Sequence, residues 1–109
     1  MAADEAVVLL VTAGDAAEAE RVATALLDAR LVACVNRIDG VHSRYWWQGA
    51  VEQATESLLV AKTRRSLVPR AVAAIRAVHS YEVFEAIALP IVAANPDYLQ
   101  WIFDSTEGA

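Results

Sequence analysis

A cysteine, a histidine and a glutamate carry the metal chemistry that this sequence could support. Cys34 offers a thiolate, a good ligand for copper and zinc. The same residue also suits a strand as a small, inert apolar side chain. His79 offers an imidazole, and Glu82, three residues on, a carboxylate that completes a site if one helical turn persists there. A histidine at a helix C-terminus is equally placed to interact with the macrodipole. The second histidine, His42, is expected to face solvent or a neighbouring subunit and is assigned no role. One cysteine and two histidines exclude a closed four-ligand Cys/His zinc site built by one chain. Any metal site must be open, or completed by carboxylates, water or a second chain. Such a site prefers copper(II) by the Irving–Williams order. Glu52, Glu56 and Lys62 fall at even spacing along one predicted strand and share a face, where a carboxylate and an ammonium commonly form a solvated pair. The cysteine has no sequence neighbour that marks an activated nucleophile. The four glycines form no phosphate loop, and no Ser-His-Asp pattern occurs. The chain is expected not to be an enzyme and to need no organic cofactor.

The elements that must position these residues follow from periodicity. Ala6 to Thr12 is a continuous apolar run, as in a strand buried on both faces. Asp15 with Glu18 forms a capping-box pattern, and Ala19, Val22, Ala23, Leu26 and Leu27 make the apolar stripe of a helix. Leu31 to Asn36 and Val41 to Trp47 read as one long strand bent at Asp39-Gly40. Gln48-Gly49 is a tight turn, and Ala50 to Thr63 returns as the third strand. Ser66 is placed to cap a second helix with Pro69 in its first turn and a stripe of Val68, Ala71, Val72, Ile75 and Val78. Ala86 to Val92 is a fourth strand, demoted to an edge by Pro90. Asn95-Pro96 opens a short last helix whose buried side is Tyr98, Leu99, Ile102 and Phe103.

This order, β-α-β-β-α-β plus a terminal helix, predicts an α+β, ferredoxin-like sandwich with an antiparallel sheet. Right-handed crossovers put the first and third strands at its centre. The second and third strands project an arm, Val41 to about Glu56, beyond the helices. An isolated two-stranded arm is marginal in water. Tyr45, Trp46 and Trp47 on it are therefore expected to pack against a neighbouring copy of the chain.

The 109 residues, 57% apolar and 21% charged, suit one domain over 1–109 with an ordered core over about 6–104, and exclude a disordered chain. Nine basic against fourteen acidic residues give a net charge of −5, which argues against nucleic acid and against anionic membranes as partners. The longest uncharged stretch, Ala86 to Pro96, is too short to span a bilayer. The opening M-A-A-D-E lacks the basic start and apolar core of a signal peptide, and a single cysteine makes no internal disulfide. These features lead to the expectation of a cytoplasmic protein.

Six blocks now stand in order: L-V-A-C-V-N, S-R-Y-W-W-Q-G, E-S-L-L-V-A-K-T, H-S-Y-E-V-F-E, A-L-P-I and D-Y-L-Q-W-I. Together, from about Val8 to Trp101, they resemble the CutA divalent-cation tolerance family. The resemblance implies a ferredoxin-like subunit in a tight cytoplasmic homotrimer linked to copper and other divalent metals. It implies a polar cleft between subunits lined by Glu56, Lys62 and Tyr81, near a metal set of Cys34, His79 and Glu82. It also implies a trimer interface that includes Tyr45, Trp46 and Trp47. The chain departs from the family pattern at Ser80 and Phe84, which stand where prolines are usual, at Asp39-Gly40 in place of Pro-Gly, and at Asn95 in place of glycine. Loss of two prolines is expected to free the backbone from His79 to Glu85. A second reading is a scaffold similar to PII-type signalling trimers, sensing a small anionic ligand in the subunit clefts.

Overall fold

A computed structural model describes residues 4–109. Strand β1 (Ala6–Ala13) lies between β3 (Ala50–Arg64) and β4 (Ala86–Pro90), and β3 pairs in turn with β2 (Cys34–Trp47). All pairings are antiparallel, and the sheet order is β2-β3-β1-β4. The two longest apolar runs are thus central, as the crossover rule requires. Helices α1 (Ala16–Asp28) and α2 (Val68–Val78) follow β1 and β3, and α3 (Pro96–Ser105) closes the chain. The fold is α+β and ferredoxin-like in order, with the added helix.

Both α1 and α2 pack on one sheet face. Leu9, Val11 and Ala13 of β1 and Leu59 and Ala61 of β3 point to it and meet Ala19, Val22 and Leu26 of α1 and Ala71 and Ile75 of α2. The other side chains of the strands form three rows on the opposite face. Cys34, Lys62, Val8 and Leu89 make the first, Asn36, Val60, Leu10 and Ile87 the second, and Ile38, Leu58 and Thr12 the third. Helix α3 covers part of this face. Arg64 clamps it there, donating to the carbonyl of Phe103 and, at 2.9 Å, to the hydroxyl of Thr106, while its guanidinium lies 5.0 Å from the Phe103 ring. Much of the face stays open: Ile38, Ile87 and Leu89 are each about half exposed, at 50%, 50% and 49%.

Several local expectations change. β2 begins at Cys34, not Leu31, because α1 ends in a Schellman turn that occupies the preceding residues: Leu31 N–H donates to Leu26 O and Arg30 N–H to Leu27 O. The bulge expected at Asp39-Gly40 is present, as the register shifts between Ile38 and Val41. Gln48 and Gly49 both have positive φ, the condition for a tight I′ hairpin turn. Ser66 does not cap α2. Its hydroxyl bonds Asp4, and a short 3₁₀ turn over Arg65–Leu67 leads into the helix instead. β4 ends at Pro90, short of the expected Val92, with Ile91 N–H still donating to Ala6 O at 3.1 Å. In α3, Ile102 is buried as expected but Tyr98 is exposed.

Arg30 sits at the Schellman C′ position with φ 55°, where a Cβ is strained. Arg30→Gly is expected to stabilise the protein by about 0.5–1 kcal/mol, because relief of the left-handed strain exceeds the added unfolded-state entropy. Urea unfolding measures it, and an unchanged or lower midpoint contradicts the assignment.

Candidate functional site

At the C-terminal end of β1 a chain of buried polar groups links α1 to the segment after α2. Asp15 caps α1 by accepting from Glu18 N–H at 2.8 Å. Glu18 does not complete the expected capping box on Asp15. Its Oε1 accepts from Gly14 N–H at 3.0 Å, and its Oε2 accepts from Ser80 N–H at 2.9 Å. Glu18 is 3% exposed. Burial is the largest influence and by itself pushes the carboxyl up. The N–H groups of Gly14 and Ser80, with the Ser80 side chain, outweigh it and hold the group below its ordinary value of 4.5.

His79 is enclosed behind this carboxylate. Its Nδ1 accepts from Tyr81 N–H at 3.0 Å, so Nε2 carries the proton and donates to Thr12 O at 2.7 Å. The side chain is fully buried, and its ring stacks on Phe84 at 5.3 Å between centroids. The guanidinium of Arg76 covers the other ring of that stack, 4.8 Å from the centroid of Phe84. The two non-proline residues therefore have roles. Ser80 supplies an N–H that proline lacks, and Phe84 supplies a ring. The backbone expected to be freed is tied at Ser80 by its N–H on Glu18, while at position 84 the Phe84 ring packs on His79.

Tyr81 carries the chain onward. Its hydroxyl donates to Glu56 Oε2 at 2.9 Å, and burial, reinforced by that carboxylate, pushes the phenol up to about 12. Glu56 is 6% exposed. Tyr81 and Glu56 lie at the base of a cleft of about 790 Å³ between the arm and the segment Tyr81 to Glu85. Tyr45, Trp46 and Trp47 line the arm side with His42 and Arg44, and Glu82 and Glu85 line the other.

The sequence-predicted site is therefore divided. Glu56, Tyr81 and Glu82 share the cleft. Cys34 and Lys62 face each other in the first row of the open sheet face, where Cys34 Sγ lies 3.6 Å from the Tyr98 hydroxyl and Lys62 bonds the Asn36 side chain. Six residues of extended strand, roughly 20 Å, separate Lys62 from Glu56. The expected pairing of the two along one face is excluded by that length. Cys34, His79 and Glu82 are likewise not brought together in one chain, and both ring nitrogens of His79 are already bonded. Among the described residues no three His, Cys, Asp or Glu side chains converge to hold a metal ion. His42 and Glu85, given no role by the sequence, do line the cleft. The Y-E-V-F-E spacing contained the signal for Glu85. Nothing in the sequence marked Glu18 as more than a helix cap, because its partners lie on a segment 62 residues away.

With sheet order, arm and buried chain in place, comparison with known proteins is decisive. The model of the CutA1 divalent ion tolerance protein family matches residues 7–105. The chain belongs to that family. It is similar to the protein CutA of Mus musculus, 46% identical over 89 residues, covering 82% of this chain and 50% of the mouse protein. It is similar to the divalent-cation tolerance protein CutA of Thermus thermophilus, 40% identical over 99 residues, covering 91% and 96%. The crystal structure of CutA1 from Oryza sativa superposes with a TM-score of 0.92 at 39% identity, covering 96% of each chain. The chain thus spans about half the length of the mouse relative and nearly all of the bacterial one.

The acid dependence of Glu18 has a defined sign. Its folded-state value lies below the unfolded one, so its contribution is present above pH 4.5 and is lost as pH falls through the folded-state value. At pH 7, Glu18→Gln leaves N–H groups of Gly14 and Ser80 with a neutral or missing acceptor and is expected to cost about 1–3 kcal/mol. Denaturant titrations of both proteins should show that gap narrowing below pH 4.5. A gap constant from pH 7 to pH 3 contradicts the role.

Proposed function

We propose that the protein acts in divalent-cation tolerance as a homotrimer that binds copper(II) or another divalent ion at the seams between subunits. The observation that supports this most is the uncovered sheet face. Ile38, Ile87 and Leu89 stand half exposed there, and Trp46 on the arm is 75% exposed. A single chain leaves this apolar surface in water, whereas a closed assembly buries it. The family supplies the link to divalent ions and, through the resemblance, the number three.

Metal donors missing from one chain must come from a neighbour. Cys34 is only partly buried and Glu82 is exposed, so both remain available across a seam. His79 is left out of the set because its nitrogens are engaged. Thiolate with carboxylate, open to water, favours copper(II) among divalent ions. A reducing cytoplasm would keep Cys34 competent for this. No catalytic step is assigned. The alternative, a PII-like sensor of a small anion, is opposed by the cleft lining, which sets three carboxylates against one guanidinium.

Light scattering at micromolar concentration is expected to give a particle of three 11.8 kDa chains, and Leu89→Asp with Trp47→Asp is expected to reduce it to one. Copper(II) calorimetry is expected to show an affinity at least about tenfold lower in Cys34→Ala/Glu82→Gln than in the unchanged protein, a difference of about 1.4 kcal/mol. A folded single-chain species disposes of the trimer, and equal copper affinity disposes of the metal donors.

A further inference from the structure

The arm is bonded to the body of its own chain at one point beyond its root. Its ribbon, residues 41–56, pairs only with itself, with Val41 opposite Glu56 at the root and Trp47 opposite Ala50 at the tip. The third strand gives out just below, where Ala13 of β1 pairs with Ser57. Among the described residues, one side-chain hydrogen bond and no ion pair joins residues 41–56 to anything outside them. It is the 2.9 Å bond that the Tyr81 hydroxyl donates to Glu56 Oε2.

The ribbon has a place to bend beside that bond. The register shifts between Ile38 and Val41, which leaves Asp39 and Gly40 outside the ladder, and Gly40 has φ 75°. A bulge bends a ribbon and raises its twist locally. The body side of the bulge is fixed. Arg37 bonds Glu20 of α1 and pairs with Asp39 at 3.1 Å, and Asp39 accepts from the Ser57 hydroxyl at 2.7 Å. The far side of the bulge has Tyr81 alone.

Tyr81 is a firm anchor. Its N–H is on His79 Nδ1 at 3.0 Å, its ring lies 4.8 Å from the His79 ring, and its hydroxyl reaches so near the β1–α1 turn that a Cβ on Gly14 would stand 3.3 Å from it. The bond is to a buried carboxylate, so breaking it strips Glu56 of its donor. From Val41 to Trp47 the ribbon spans roughly 20 Å, so a small rotation at the bulge becomes a large displacement of the rings at the tip. We propose that Tyr81 latches the arm: with the Asp39-Gly40 bulge as the hinge, its hydrogen bond to Glu56 fixes the angle of the arm on the body and so presents Tyr45, Trp46 and Trp47 to a second copy of the chain. A ribbon already held at its docking angle has less freedom to lose when it docks. The latch acts within one chain, and its consequence for assembly rests on the trimer reading.

Hydrogen exchange read by mass spectrometry tests the latch in the full chain, at a concentration where light scattering gives the mass. Tyr81→Phe keeps the ring and removes the hydroxyl. It is expected to speed exchange of the arm amides, residues 41–56, by about tenfold or more and to leave those of β1 within about twofold. Glu56→Leu is expected to free the arm to the same degree, and the double variant no further than either, because both remove one bond. Thr63→Val takes a hydrogen bond from the body instead, the 2.7 Å bond of the Thr63 hydroxyl to Leu31 O, and is expected to show no selectivity for the arm. On dilution, the Tyr81→Phe assembly is expected to dissociate at a concentration at least about tenfold higher than the unchanged protein. Arm exchange unchanged in Tyr81→Phe, β1 exchange rising as much as arm exchange, or additive effects in the double variant each overturn the latch. A freed arm with unchanged dissociation overturns its role in assembly. A single-chain mass for the unchanged protein overturns the trimer reading, and arm exchange still decides the latch.

Discussion

Both crossover helices lie on one face of a four-stranded sheet, and everything else follows from that constraint. Right-handed β-α-β connections in this order place α1 and α2 on the same side. The sheet is therefore sealed from one direction only. Its central strands bury Leu9, Val11, Leu59 and Ala61 under the helices. The alternating residues of the same strands emerge on the other side, where α3 reaches only part of the surface. A short C-terminal helix held by Arg64 covers one end, and the remaining aliphatic rows stay half exposed.

The same geometry explains the arm. β1 ends opposite Ser57, so beyond that point β2 and β3 have only each other. The molecule is accordingly elongated, 44 Å along one axis against 26 Å along the other two. A ribbon with no third strand and no helix needs something to lie against. Along one flank it has the Tyr81 to Glu85 segment, and the space left between them is the cleft. That segment is positioned in turn by a relay of hydrogen bonds from the start of α1: Glu18 holds Ser80, His79 holds Tyr81, and Tyr81 holds Glu56. The Glu18 carboxylate and the accepting Nδ1 of His79 thus position the wall of the cleft.

Much of this was legible in the residues because it is local. The apolar runs of β1 and β3, the Asp15 cap, the bulge at Asp39-Gly40 and the Gln48-Gly49 turn each depend on near neighbours in the chain. The family blocks marked Glu56, Lys62 and Tyr81 as cleft residues; Glu56 and Tyr81 line the cleft of this chain, and Lys62 does not. Legibility stopped where distance along a strand matters. Cys34 and Lys62 have the same parity as Glu56, but parity does not say how far apart residues lie, and the ladder puts the first two at the opposite end. His79 looked like a free ligand because its two partners, the Thr12 carbonyl and the Tyr81 amide, are main-chain groups that no side-chain pattern advertises.

By itself, then, the order of residues determined which segments become strands and helices, their handed connection and the unusual load of rings on the arm, since periodicity, turn chemistry and crossover sterics act over a few residues at a time. Tertiary structure alone decided which polar groups are already engaged and which face open space. That outcome depends on strand register and on main-chain groups 62 and 67 positions away, the Ser80 N–H that donates to Glu18 and the Thr12 carbonyl that accepts from His79.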